Sequence, residues 1–454
     1  MSGCVIGNEI KIENPDKEIL SYCKEKLTLK NPDYDKKVRL GLWIGKTPKQ
    51  IELFKKVDDK IILPFGCLTD IYECIKNDFV LEFKKNKVDI KGEIPLYDYQ
   101  KKAVDKMEKA KNGVLVSKAG SGKTQVAIEL IRRLGRRALW LTHTLDLVRQ
   151  SKSRAEQYLD CKMGIVTGGK IDVGDITFAT VQTMQNLDLE DYKDMFDVII
   201  VDECHRVSGS PTRITMFYKV LNKLCARHKY GITATAHRSD GLIQSVYALL
   251  GNVIYEVDDK EVANRIIKAK IATEQTNWRL ELNSEAIDTD GTIIFSKLIN
   301  EICYNKNRNR QIATDIKKSK GRSCLVLSDR LNQLREIKNN VGYGVMIDGK
   351  MISKKGKEER EQAIKDMQDG KEMVLYASYN LAKEGLDIPR LERLFLASPK
   401  KDEAVIIQSV GRVERVYEGK KEAIVYDYVD KLGICANMYK CRKRVYKKNR
   451  NELI

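Results

Sequence analysis

Two groups of residues in this chain have the types and spacing to handle a nucleoside triphosphate. The first is SKAGSGKT, residues 117–124. Gly120 and Gly122 let the backbone of Ala119, Gly120, Ser121 and Gly122 fold tightly enough to aim several N–H groups at one anion. Lys123 adds a point charge for the β- and γ-phosphates, and the Thr124 hydroxyl is a ligand for magnesium. Loops of this kind commonly open with a glycine, and here Ser117 stands in its place. The second group is FDVIIVDECH, residues 196–205, an apolar run ending in two adjacent acids. Hydrolysis needs one carboxylate on the magnesium and another group orienting the attacking water. Asp202 suits the first task and Glu203 the second. The chemistry these groups predict is hydrolysis of a nucleoside triphosphate with Mg2+.

Such residues work only if strands and helices hold them. NGVLVS precedes the glycine loop and KTQVAIELIRRLG follows it, the strand–loop–helix setting in which the N-terminal end of a helix faces phosphate. From Ile94 onward, uninterrupted apolar runs alternate with helical patterns. The runs are GVLVSKA, RALWLTH, DITFAT, DVIIVDE and YGITATA, then SCLVLSD, EMVLYAS, RLFLASP and EAIVYDY. Continuous apolar strands separated by helices indicate parallel sheets covered on both faces. The predicted architecture is α/β, two tandem parallel-sheet domains at 93–258 and 259–454 behind a small mixed module at 1–92. In that module, VRLGLWIG at 38–45 and KIILPFG at 60–66 read as short strands, with a helix at 69–76. The charged stretch 257–283 reads as a connection, and the end of the chain, 431–454, as a basic helical tail.

Lys and Arg number 82 against 64 Asp and Glu, a net charge of +18 that suits a polyanionic partner. A lysine-rich composition without function is the bland alternative. No apolar run approaches the length of a membrane span, and the first residues lack the basic-then-apolar pattern of a signal peptide. A cytoplasmic protein with reduced thiols is therefore expected, with no membrane contact. The eleven cysteines and four histidines fall at no zinc-ligand spacing, and Cys161 and Cys204 are read as inert.

DECH with the glycine loop resembles the superfamily 2 helicases, and further motifs follow in that family's order. LYDYQKKAV resembles the element before the loop, in which Gln100 would read adenine. LTHTLDLVRQ, TGG and FATVQTM follow, then TATA, CLVLSDR, NLAKEGLDIP and QSVGRVER. The resemblance covers about residues 94–430 and implies two RecA-like domains around ATP. It places Gly385, Asp387 and Gln408 in the nucleotide cleft. Arg412 and Arg415 become cations that stabilise the charge spreading over the transferring phosphoryl group. His205, Thr233 and Thr235 couple hydrolysis to movement. Thr142, Thr144, Gly168, Gly169, Thr180 and Gln182 grip successive phosphates without reading sequence.

The spelling DECH and TATA, with YNKNRNRQIATDI at 304–316, is more similar to DNA translocases of the XPB, RecG and UvsW kind, phage-type branch-migration helicases included, than to the RNA-dependent DEAD-box group. The expectation is a monomeric ATP-dependent DNA helicase acting on forked or branched DNA during replication, recombination or repair. An RNA helicase and an ATP-switched nucleic-acid scaffold are the alternatives. Residues 1–92 are expected to supply the contact with branched DNA. Lys36, Lys37, Arg39, Trp43, Lys46 and Lys49 form its candidate patch, with Trp43 equally readable as core.

Overall fold

The computed structural model describes the chain apart from residues 1–2, 76–78, 119, 212, 236–240, 259–260, 262–265, 349–353, 384–385 and 387. It divides into two compact units. One comprises Met1–Lys118 with Gly122–Glu261, and the other Val262–Ile454 with Ala119–Ser121.

In the first unit, the apolar runs from Ile94 onward form an eight-stranded sheet. Its spatial order is Lys170–Asp172, Met163–Thr167, Ile176–Thr180, Ala138–Thr142, Val198–Asp202, His228–Thr233, Gly113–Val116 and Val253–Glu256. All neighbours pair parallel except Lys170–Asp172, which turns back on Met163–Thr167. The central strands are buried along their whole length, which is why they read as unbroken apolar sequence. Parallel pairing puts the ends of Gly113–Val116, His228–Thr233 and Val198–Asp202 side by side, with Thr233 opposite Val116 and Ile232 opposite Asp202. Chemistry at the C-terminal edge of such a sheet follows from topology alone.

Residues 4–81 build a separate five-stranded sheet: Lys55–Val57, Lys60–Pro64, Glu9–Glu13, Cys4–Ile6 and Phe79–Leu81. Ile6, Ile10, Ile12, Ile61 and Leu63 form its core, and Leu242 and Ala248 of the motor domain join the same cluster. Gly66 marks the closest approach. A Cβ there would stand 2.3 Å from the Tyr247 carbonyl and 2.5 Å from the Gly251 nitrogen. The strand expected at 38–45 is not formed. Asn31 caps a helix at Pro32–Arg39, with Pro32 preset for the first turn, and a hydrogen-bonded turn follows. The helix expected at 69–76 is the short Leu68–Ile71.

The second unit is a seven-stranded parallel sheet ordered Val345–Met346, Val374–Ser378, Cys324–Ser328, Arg393–Leu396, Ala423–Val429, Ala269–Gln275 and Glu452–Leu453. One expectation is corrected here. The stretch 257–283 contains the strand Ala269–Gln275, paired with Ala423–Val429 over its whole length. The helix expected in the basic C-terminal residues is present, and it is packed on one side. Helix Gly433–Lys448 buries Arg442, Val445 and Tyr446, with the Arg442 guanidinium donating twice to the Asp427 carboxylate at 2.7–2.8 Å. No described helix is long and apolar enough to cross a membrane.

Candidate active site and nucleic-acid groove

Ser117 keeps the strand going instead of turning it. Its N–H donates to the Thr233 carbonyl at 3.0 Å, and its φ is not left-handed, so this position has no need of glycine. The turning falls on Gly120 (φ 83°) and Gly122 (φ 80°), the latter capping helix Lys123–Leu134. Gly122 is required for a second reason, since a Cβ there would lie 2.2 Å from Gln100 Nε2. The Gln100 carbonyl accepts the Tyr97 N–H at 2.9 Å, capping helix Asp98–Ala110, which holds its amide against the loop. Lys123 Nζ donates to the carbonyls of Ser117 (2.9 Å) and Lys118 (3.2 Å), so the cation is held across the mouth of the loop. Thr124 is the second residue of the helix, and Ser121 lies between the two glycines. Ala119 lies outside the described residues.

Asp202 closes strand Val198–Asp202, which His228–Thr233 separates from the strand leading into this loop, and its Oδ1 accepts the Glu203 N–H at 2.9 Å. Burial, and then the Glu203 charge, push its carboxyl up to about 7 against the opposing pull of Lys123. A buried carboxylate in this state gains from a divalent cation, which restores its charge in place of a proton. With Thr124 it offers hard oxygen donors suited to magnesium. Among the described residues, no cluster of three His, Cys, Asp or Glu forms a metal cage, so the remaining ligands would come from phosphate and water.

Glu203 is one of few non-glycine residues in the left-handed region, φ 50°, a local strain at the head of the acidic turn. Its Oε2 lies 3.3 Å from His205 Nδ1, which is 3.0 Å from Thr233 Oγ1. Thr233 Oγ1 in turn donates to the Thr235 carbonyl at 3.0 Å and accepts the Thr235 N–H at 3.2 Å. His205, Thr233 and Thr235 are thus hydrogen-bonded in series, and the 3.3 Å approach of Glu203 Oε2 to the imidazole, a polar contact and not a hydrogen bond, extends this polar chain to the acids. Burial pushes the Cys161 thiol up to about 11 and holds the Cys204 thiol protonated, in keeping with inert cysteines.

The candidate phosphate-gripping residues divide. Thr142 donates to the Thr144 carbonyl (2.9 Å), Thr144 caps helix Leu145–Glu156, and Thr180 caps Val181–Met184. Their hydroxyls are committed to the turns that end their strands. Gln182 donates to the His143 carbonyl at 2.9 Å, tying two of these turns together. Gly168, Gly169 and Gln182 line an open groove of about 600 Å³ with Thr167, Lys170 and Asn186. Thr167 belongs to the TGG motif without having been singled out, while Lys170 and Asn186 escaped sequence reasoning, and only Lys170, next to Gly169, carried a local hint.

In the second unit, helix Glu403–Val413 carries Gln408 and Arg412, with Arg415 just beyond. Arg412 Nη1 donates to the Leu386 carbonyl at 2.8 Å. Gln408 is buried, and its Oε1 has no protein partner among the described residues. Gly385 and Asp387 lie outside the described residues. Sequence reasoning also missed Lys420, whose Nζ donates to the carbonyls of Val413 (2.5 Å) and Arg415 (2.7 Å), capping the arginine helix with a cation. Glu414 is anchored too, by Asn451 Nδ2 at 2.8 Å.

Comparison with known proteins agrees with this geometry. Residues 93–238 match the family described as "Type III restriction enzyme, res subunit", and residues 292–417 match "Helicase conserved C-terminal domain". The chain is 27% identical over 413 residues to the DNA 3'-5' translocase XPB2 of Sulfurisphaera tokodaii, covering 81% of this chain and 91% of that protein. It is 30% identical over 338 residues to the putative ATP-dependent RNA helicase L396 of Acanthamoeba polyphaga mimivirus, covering 72% of this chain but only 62% of the relative. Among solved structures, S. cerevisiae Dbp5 bound to RNA and ADP BeF3 is similar in fold (TM-score 0.56, 14% identity, 86% and 94% coverage). With both RecA-like halves matched in order and nearly the whole of an archaeal translocase aligned, the chain belongs to the superfamily 2 helicases and is an ATP-dependent helicase.

Proposed function

We propose that this helicase translocates on DNA and unwinds or branch-migrates forked and branched DNA in replication, recombination or repair. The observation that carries the motor part is the polar chain from Glu203 through His205 to Thr233. It joins the acids of the ATP site to the strand beside the glycine loop. In this reading Lys123 binds the β- and γ-phosphates, and Asp202 and Thr124 hold magnesium. Glu203 orients the attacking water, and Gln100 positions the loop and reads the base. Ala119, Gly120, Ser121 and Gly122 cradle phosphate, and Gly385, Asp387 and Gln408 are nucleotide-site residues by the resemblance. Arg412 and Arg415 supply the stabilising cations. The loops at Gly168 and Gly169 touch the strand being tracked.

DNA as the track is supported by the surplus of basic residues and by the archaeal relative's designation as a DNA 3'-5' translocase, which also favours that polarity. The mimivirus relative's designation as an RNA helicase supports the second reading, an RNA substrate. Comparing ATPase stimulation by single-stranded DNA and RNA separates the two, and an unwinding panel of forks, four-way junctions, blunt duplex and RNA duplex tests the branched preference. Stimulation by RNA alone would refute the DNA reading. Equal unwinding of every DNA substrate would refute the preference.

A further inference from the structure

We propose that the turn at residues 40–46 is a base-stacking tip, which seats an unpaired base where duplex meets single strand in branched DNA. The inference rests on the DNA reading above and names its contact. Helix Pro32–Arg39, which leads into the turn, buries none of its residues. It is polarised, with Asp33 and Asp35 in its first turn and Lys36, Lys37 and Arg39 in its last. Asp33 is ion-paired at 3.0 Å to Arg213, downstream of the Asp202–Glu203 turn, so the acidic end faces the motor domain and the basic end leads to the tip.

The turn is built, with its backbone and anchors paired. The N–H of Leu40 donates to the Lys36 carbonyl and that of Leu42 to the Lys37 carbonyl, at 3.1 and 2.9 Å. Lys37 Nζ reaches forward to Thr47 Oγ1 at 2.7 Å, and the Asn31 side chain donates to the Pro48 carbonyl at 2.7 Å. The loop is thereby closed on the start of its own helix. What it displays is apolar: Val38, Leu40 and Leu42 are 52, 55 and 53% exposed, and Trp43 is 88% exposed. The indole lies against Gly45, where a Cβ would come within 2.9 Å of its ring and φ is +56°. The six-membered ring thus lies close to the Gly45 backbone while almost all of the indole stays open to solvent.

An exposed indole with exposed Lys36, Arg39, Lys46 and Lys49 within seven residues of it in sequence matches one partner chemistry. A base supplies the π-surface, and its flanking phosphates supply the anions. The module that bears the tip shares a core with Leu242 and Ala248 of the motor domain, so the tip belongs to the same packed body as the translocating sheet. A motor gripping only phosphates has no means of telling a junction from a plain strand, and a stacked base at the branch point supplies that distinction.

The chain contains three tryptophans, and Trp140 and Trp278 are buried, so accessible indole emission comes from Trp43. Titrating the full-length protein with a forked duplex should quench that emission, with W43F abolishing the change. W43A should lower the ratio of fork affinity to single-strand affinity by about tenfold, the size of one base stack, with W43F largely restoring it. An unchanged ratio in W43A, equal quenching by plain single strands, or quenching by anionic vesicles but not by forks would each overturn the tip. Failure of any DNA to stimulate the wild-type ATPase would remove the functional reading and the tip with it. Normal stimulation with an unaffected W43A removes the tip alone.

Discussion

In the role proposed for it, Asp202 links magnesium to pH. Its carboxyl is held near 7 because burial and the Glu203 charge both oppose ionisation, so proton and cation compete for the same oxygens. Without metal, the folded state takes up a proton between its ordinary range and about 7. This group's contribution to stability therefore falls as pH rises through that window and stays constant above it. The magnesium needed for half-maximal ATPase should rise by about tenfold per pH unit below about 7. A magnesium requirement flat from about pH 6 to 8 would show that Asp202 is not the ligand. Single substitutions separate the neighbouring roles. Lys123→Ala should lose nucleotide binding and turnover with an unchanged thermal melt. Glu203→Gln should keep ATP bound while losing hydrolysis by at least ~10²-fold, read by nucleotide retention on a desalting column. Turnover at the wild-type rate in Glu203→Gln would refute its water-orienting role.

Among elements, the end of helix Glu403–Val413, with Arg412 inside it and Arg415 just beyond, is held by Lys420 and Glu414. Arg415→Ala should lower kcat by on the order of 10³-fold with a smaller change in ATP affinity. Arg412→Ala should be milder, since that guanidinium is already tied to the Leu386 carbonyl. Wild-type kcat in both would exclude them from the transition state. The helix Gly433–Lys448 calls for two kinds of change. Replacing exposed Lys440, Arg444 and Lys447 with alanine should reduce the slope of log K against log salt by roughly 0.7 to 0.9 for each phosphate left unneutralised. Arg442→Met should instead destabilise by about 3–5 kcal/mol in a denaturant melt, because Asp427 is left buried with the Tyr446 hydroxyl but without its counter-charge. How far such elements can be read in sequence depends on what encodes them. The central strands and both ATP motifs were legible because a fully buried parallel strand is an unbroken apolar run, and its terminal loop is contiguous. Ala269–Gln275 was not, since AKIATEQ mixes charge into a strand recognisable only by its partner Ala423–Val429. VRLGLWIG misled in the opposite sense: its apolar residues are displayed on a turn, and the capping Asn31 that sets the helix lies upstream. Lys420 was invisible because its task is set by carbonyls that tertiary folding brings to it.

At the scale of the whole molecule, the small N-terminal sheet and the first RecA-like domain are bound by more than a linker. Phe65 and Gly66 sit on helix Ile243–Leu250, and buried Lys229, its Nζ bonded to the Leu221 carbonyl at 2.7 Å, lies beneath the Phe65 ring. The working division at 1–92 is thus a proposal about role, and the packing makes point substitution a sounder probe of that role than truncation. The consequence concerns how the protein breathes. Elements that share a core open together, so amide protons of Glu9–Glu13 and Lys60–Pro64 should exchange with deuterium at the same opening free energy as those of Ile243–Leu250. A module exchanging much faster than that helix would show that the shared core does not couple them. If the rates coincide, any base captured at the Trp43 tip is felt as strain by the helix that flanks the strand ending in Thr233, and the accessory sheet becomes part of the motor's own cooperative unit.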